Sequence, residues 1–216
     1  MNIRTKLEKH ISIMKAFKKL IIFGEYSTAL EIRDVVNSDY PDDFQDVVNL
    51  HFDAKTNLSA LSQELNLFGY IISFSNNDMR TQCEGIMNQI EKAHAVSIIS
   101  KHANVSPLAK IGEGSYIAPL TFIGPNTVIA KHNIILPHSS IGHDSVLGKH
   151  CIVNPGAKIS GNVIIGSNCL IGSNSVIHQK TNIGSNNIID AMTYIRKDLK
   201  DNMIALSRSR AFIKKR

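Results

Sequence analysis

Residues 139–177 read SSIGHDSVLGKHCIVNPGAKISGNVIIGSNCLIGSNSVI, and in this stretch an aliphatic residue returns every six positions: Ile141, Leu147, Val153, Ile159, Ile165, Ile171 and Ile177. Extended in both directions, the ladder has sixteen members without a slip, from Val105 through Ile111, Ile117, Ile123, Ile129 and Ile135 to Ile183, Ile189 and Ile195. Helical faces repeat every ~3.6 residues and strands every ~2. A strict period of six therefore demands a stacked, solenoidal unit that buries one aliphatic side chain per hexad. The pattern predicts a parallel β-helix of hexapeptide repeats. Three hexads close one triangular coil of 18 residues, giving five full coils and part of a sixth over this ladder.

The other hexad positions agree. The residue after the aliphatic one is glycine at Gly112, Gly124, Gly142, Gly148, Gly166, Gly172 and Gly184, as expected if a tight corner falls there. Four positions after the aliphatic the side chain is small, as at Ser115, Thr121, Thr127, Ser139, Ser145, Cys151, Ala157, Cys169, Ser175, Thr181 and Thr193, which suits a narrow interior. Because each coil buries its apolar edge only against its neighbours, the array is expected to fold as one cooperative stack. Cys151 and Cys169 lie 18 apart at the same interior position. They are expected to stack as buried, reduced thiols, which points to a reducing interior. With no CxxC pair and scattered histidines, no metal site is expected.

Composition sets the outer bounds. The 216 residues have room for one large or two modest domains, and 43% hydrophobic content supports real cores. No run long enough to span a membrane occurs, and the charged N-terminus lacks the apolar region of a secretory signal. A cytoplasmic protein without stable membrane insertion is expected. The net charge of +6 is concentrated in two ends, +5 in residues 1–20 and +5 in residues 207–216, leaving −4 for the rest. That distribution argues against nucleic acid, which favours a basic stripe with interleaved aromatics. Ile3, Leu7, Ile11 and Met14 fall at helical spacing, predicting a basic amphipathic N-terminal helix.

Between that helix and the ladder the chain alternates β and α: strands at Leu20–Phe23, Val47–Phe52 and Tyr70–Phe74, helices over about Ser27–Val36, Leu58–Leu65 and Met79–Ile90, and a short strand at Val96–Ile99. This alternation predicts a small parallel sheet covered by helices, with its ligand crevice at the strand C-termini. There Gly24 is followed by Glu25, Tyr26, Ser27, Thr28 and Ala29 rather than by further glycines. Ser27 and Thr28 either offer hydroxyls and helix N-terminal amides to an anion or cap the helix.

The domain boundaries that follow are residues 1–96 for the parallel α/β domain with its basic N-terminal helix, 97–200 for the β-helix, and 201–216 for a basic tail.

Histidine is the natural place to seek a general base near neutral pH. His132 and His150 share a hexad position 18 apart and are expected to stack on a polar surface face. His138, His178, His102, His94, His51 and His10 default to structural or surface roles. His143 stands apart because Asp144 follows it on an outward-facing corner, where the carboxylate can stabilise an imidazolium. One coil later Gly161 occupies the equivalent position. It is expected to leave the space over the imidazole open for a ligand and to expose a backbone amide suited to an oxyanion. A β-helix with no chemistry, serving as a scaffold, binding or assembly module, is the competing reading.

At this point the chain resembles the left-handed β-helix sugar acyltransferases, which include sialic-acid O-acetyltransferases and UDP-4-amino-sugar N-acetyltransferases of bacterial glycan synthesis. The resemblance covers most of the chain and is carried by YIISFSNNDMR at 70–80, SIISKHANVSPLAKIGEGSYIAP at 97–119 and, above all, the stretch at 139–177. It implies an α/β Rossmann-like N-terminal subdomain followed by a left-handed parallel β-helix, a homotrimer, and acetyl-CoA as co-substrate in the groove between two β-helices. His143 maps to the proton acceptor and Asp144 to the carboxylate that tunes it, while Gly161, Ser173 and Ala191 map to acetyl-CoA contacts. Ser27, Thr28 and Ala29 stand where the family has its glycine-rich nucleotide loop. Asp53, ending the second strand, is a candidate for the uridine or ribose and equally a turn residue. The implied activity is N-acetylation of a nucleotide-linked 4-amino sugar, with O-acetylation of a sialic-acid-like sugar as the alternative. The chain departs from the family pattern at Leu136, where asparagine is common, at Ile152, where some members carry a second histidine, and at 207–216, where SRSRAFIKKR replaces a Gly-Asn-Pro-Ala close.

Overall fold

A computed structural model describes residues 17–24, 27–52 and 67–207. The expected N-terminal helix, the expected helix at Leu58–Leu65, Asp53 and the basic residues 208–216 lie outside the described residues.

The first region is a parallel sheet with the spatial order β2-β1-β3-β4. Its elements are β1 (Lys19–Phe23), α1 (Thr28–Asp39), β2 (Asp46–Leu50), β3 (Phe68–Ile72), α2 (Asn77–Met87) and β4 (Ala93–Ala95). The two central strands, KLIIF and FGYII, are almost wholly buried, as unbroken apolar runs in a sheet covered on both faces require. The last strand differs from expectation. Ala93–Ala95 pairs with Phe68–Tyr70, whereas Ile98–Ile99 pairs with Tyr116–Ile117 as the first rung of the β-helix. The apolar run around Val96 thus spans a junction, and the sheet's edge strand is made by the weaker Ala-His-Ala.

From Ile98 to Ala205 the chain forms eighteen two-residue strands that build a left-handed parallel β-helix. They stack as seven-, six- and five-stranded faces. The register is an 18-residue repeat: Ser140 pairs with Lys158 and Ile141 with Ile159, Ile134 with Ile152 and Ile135 with Val153. The ladder residues from Ile117 to Ile195 fill one continuous core together with Cys151, Ala157, Val163 and Cys169. All three cysteines are free and buried. The ladder continues beyond its sequence limits, with Ile99 packed at the start and Leu199 and Ala205 at the end. Ile183 bridges Leu199 and Ile188 pairs with Ile204, an offset of 16 rather than 18, so the last coil is two residues shorter. Strand pairing therefore runs past residue 200, where the tail was expected to begin.

The glycines work differently from the expected tight corner. The corner residue with left-handed backbone lies two positions further on, at Leu120, Asn126, His132, His138, Asp144, His150, Gly156 and Asn162, with φ between 56° and 74°. Asparagine recurs there because its short amide tolerates that region. The glycine directly after the ladder residue is needed for close approach: a Cβ on Gly142 would lie 2.5 Å from the amide nitrogen of Gly161.

The α/β region docks on the seven-stranded face. Ile32, Val36 and Tyr40 of the α1 segment share one apolar cluster with Tyr116, Ile134, Leu136 and Ile152. This accounts for Leu136 and Ile152, two of the departures from the family pattern: both are interdomain core. Tyr40 Oη donates to the Ile99 carbonyl, and buried Asp39 accepts from Ser100 Oγ at 2.9 Å and Lys101 N at 2.8 Å.

His132 and His150 do stack, with ring centroids 5.3 Å apart and planes 8° off parallel. They are buried, however, not on a surface face. Helix α2, capped by Asn76 Oδ1 accepting from Met79 N, covers them with two residues one turn apart. Arg80, itself fully buried, donates to the carbonyls of His132 and His150, and Glu84 lies 2.6 Å from His150 Nε2 and 3.6 Å from His132 Nε2. Sequence spacing found the stack. It did not show that a helix from the other region closes over it.

Candidate active site

His143 sits on the edge between the six- and five-stranded faces, just after the strand Ser140–Ile141. That corner is tied to the coils on either side: Asp144 N donates to Pro125 O at 2.9 Å, and Asn162 N donates to His143 O at 2.8 Å. Beneath it, interior Ser145 donates to Ser160 O and accepts from Val163 N, both at 3.1 Å. A side chain on this edge therefore rests on a backbone fixed by three successive coils.

The His143 ring Nδ1 lies 2.7 Å from Asp144 Oδ2, with both side chains about half exposed at 58% and 46%. A carboxylate only accepts, so this contact places the imidazole hydrogen on Nδ1 and leaves Nε2 as a lone-pair acceptor. The other oxygen, Asp144 Oδ1, accepts from Asn126 Nδ2 at 3.0 Å. The hydrogen bonds from His143 and then from Asn126 hold the Asp144 carboxyl below the ordinary carboxylate range. Asn126 was not singled out from sequence. Its signal was present, since it precedes Asp144 by 18 residues and shares its left-handed corner.

Gly161 lies one coil below His143 as expected, but the space it opens is filled by the imidazole itself. A Cβ on Gly161 would lie 2.6 Å from His143 Nε2 and 2.8 Å from Cε1. Gly161 is thus the floor on which the ring lies. Ser173 and Ala191 stack on each other, with Met192 N donating to Ser173 O at 2.9 Å. They lie on the next edge of the prism, between the seven- and six-stranded faces, so a single chain does not bring them to His143.

The residues expected to meet a nucleotide divide as well. Ser27 is exposed at the N-cap of α1 with φ 24° and makes no side-chain cap bond, so its hydroxyl is not spent on the helix. Thr28 opens the helix. Ala29 is fully buried in the interdomain core, which leaves only its backbone for a ligand. Nearby, Gly24 has φ 148°, and a Cβ on it would lie 2.1 Å from Ser73 Oγ; Ser73 donates to Phe23 O at 2.8 Å, closing the tip of β1 against β3. Among the described residues no group of three or more His, Cys, Asp or Glu is placed to hold a metal ion.

Comparison with known proteins agrees with this architecture. Residues 126–161 and 144–179 match the bacterial transferase hexapeptide family, and residues 162–197 match the hexapeptide repeat of succinyl-transferase. No curated protein matches the chain in sequence. The acetyltransferase domain of PglB from Neisseria gonorrhoeae superposes with a TM-score of 0.78 at 24% identity, covering 87% of this chain and 95% of that one. PerB from Caulobacter crescentus, solved with CoA and GDP-perosamine, superposes with a TM-score of 0.76 at 19% identity over 86% and 92% of the two chains. WeeI from Acinetobacter baumannii gives 0.74 at 21% identity over 86% and 94%. The chain therefore carries transferase-type hexapeptide repeats over residues 126–197 and has, over nearly its whole length, the α/β-plus-left-handed-β-helix fold of these structures.

Proposed function

We propose that the protein is an acetyl-CoA-dependent acetyltransferase that N-acetylates a nucleotide-linked 4-amino sugar, of the UDP type, for bacterial surface glycan synthesis. The observation that carries this reading is the His143–Asp144 pair at 2.7 Å on an exposed edge, with Gly161 as a floor under the ring. His143 Nε2 takes the proton from the acceptor amine as its nitrogen attacks the thioester carbonyl. The C–N bond forms, the C–S bond breaks, and CoA leaves as the thiol after taking up a proton. Asp144 stabilises the imidazolium that forms meanwhile. A base of this kind supplies roughly 10²–10⁴-fold, so positioning supplies the rest. The backbone amide at Gly161 is the proposed donor to the developing oxyanion.

Acetyl-CoA is assigned to Gly161, Ser173 and Ala191. Because Ser173 and Ala191 occupy a different edge from His143, a complete site needs a second protomer, consistent with a homotrimer. The outward side chains Val128, Val146 and Ile164 form an exposed aliphatic column on the five-stranded face beside His143, a surface suited to a second copy. The nucleotide is assigned to the crevice at Ser27, Thr28 and the first amides of α1, and Asp53 is kept from the sequence as the candidate contact for the ribose. PerB is itself described as bound to GDP-perosamine, which supports a nucleotide sugar as the substrate class. No helix of the described residues is long and apolar enough to cross a membrane, and the proposed location is the cytoplasm, where nucleotide sugars and acetyl-CoA are both present.

The test is a panel of nucleotide-linked 4-amino sugars and sialic acid incubated with acetyl-CoA, following thiol release. Turnover on the amino sugars is expected. Turnover confined to sialic acid would replace N- with O-acetylation, and the absence of both turnover and acetyl-CoA binding would leave a catalytically idle module.

A further inference from the structure

Asn126 and Asp144 occupy the same corner in successive coils, both with φ 56°. Neighbouring parallel strands lie ~4.8 Å apart, which lets short polar side chains in such a column reach one another. On another edge the same device forms an amide ladder: Asn168 Nδ2 donates to Asn186 Oδ1, and Asn186 Nδ2 to Asn202 Oδ1, both at 3.1 Å. On the His143 edge the acceptor of the rung is a carboxylate instead. One of its oxygens takes the Asn126 amide at 3.0 Å while the other turns to His143 Nδ1 at 2.7 Å.

An exposed aspartate beside its own neighbour's ring has free rotamers in water. Pinning Oδ1 from the coil above selects the rotamer in which Oδ2 faces the imidazole. We infer that Asn126 is a positioning residue for acyl transfer, holding Asp144 in the one orientation that fixes the His143 tautomer and leaves Nε2 as the proton acceptor. This rests on the acyltransferase reading of the same site. The groups facing Asp144 are His143 on its own corner and Asn126 above, with Asn162 one coil below and Lys180 two coils below in the same column.

The alternative is that Asn126 is only a ladder rung. Two variants separate these roles without straining the corner. Asn126→Gly keeps the left-handed backbone and removes the amide. Asn126→Asp keeps the shape but exchanges the donor for an acceptor, which regains a donor only when the carboxyl pair binds a proton. In Asn126→Gly, kcat is expected to fall about tenfold with KM for acetyl-CoA within about threefold of wild type. The Asp144 carboxyl, followed by carboxyl-carbon NMR in the ligand-free protein, is expected to titrate at higher pH than in wild type. In Asn126→Asp, the ratio of variant to wild-type kcat is expected to rise as pH is lowered from about 8 to about 5.5. A ladder rung alone predicts lost stability with unchanged kcat, or a ratio independent of pH, and either result overturns the inference. An unchanged Asp144 titration in Asn126→Gly overturns it without reference to any substrate. Absence of wild-type turnover on every acceptor overturns the acyltransferase reading instead, and the positioning role falls with it, while the titration still reports the contact.

Discussion

Replacing Gly161 by alanine tests the site through one methyl group. The added Cβ would lie 2.6, 2.8 and 3.0 Å from His143 Nε2, Cε1 and Cδ2, whereas ordinary contact begins near 3.4 Å. The atoms in the way belong to the far end of an exposed side chain, so the ring yields and the backbone does not. The displacement needed is roughly 1 Å, and misplacement of that size costs on the order of 100-fold in rate, about 2.7 kcal/mol of transition-state stabilisation. Gly161 has no left-handed φ, so the substitution leaves stability within about 1 kcal/mol of wild type. The assay is thiol release at saturating acetyl-CoA, alongside denaturant unfolding and acetyl-CoA binding by calorimetry. Wild-type kcat in Gly161→Ala would refute the placement of the ring on Gly161. An unfolded variant would refute the claim that only the side chain must move.

Other consequences concern the stack and the interdomain joint. Gly142→Ala directs its Cβ at backbone, 2.5 Å from Gly161 N, so the coils cannot give; it is expected to cost several kcal/mol in stability, in contrast to Gly161→Ala, by thermal and denaturant unfolding. Arg80→Met removes the buried donor to two carbonyls, and burial already pushes its guanidinium down to about 10; a loss of about 2–4 kcal/mol from the two unsatisfied acceptors is expected, with hydrogen exchange rising first in α2. Burial pushes His132 down to about 4 and His150 down from its ordinary value. The unfolded chain therefore binds protons that the native joint rejects. Stability from these histidines is full above about pH 6.5 and is lost as pH falls toward 4, on the order of 2–3 kcal/mol for His132 alone; denaturant midpoints at pH 7.5 and 4.5 read this, and equal values would remove the buried stack from the stability of the fold.

The ladder was legible because a period of six has a single physical meaning, and the 18-residue ruler derived from it also placed Gly161 under His143 and stacked His132 on His150. What the ruler cannot report is which faces are covered. His132, His150, Leu136 and Ile152 read as surface, site or departure in one dimension, yet all four are buried beneath the α/β region. The glycine corners failed for a related reason: sequence marks a small residue but not whether backbone torsion or the next coil demands it, and here the next coil does. Asn126 was hidden because an asparagine at a corner normally needs no further explanation, and only the 3.0 Å contact with Asp144 gives it one.

The most direct measurement is thiol release from acetyl-CoA by His143→Ala against wild type, on whichever nucleotide-linked amino sugar the wild type accepts, with acetyl-CoA binding and oligomeric state measured on the same samples. Turnover reduced at least about 100-fold with binding and assembly retained is the expected result, and near-wild-type turnover would contradict the assignment of His143 as the base.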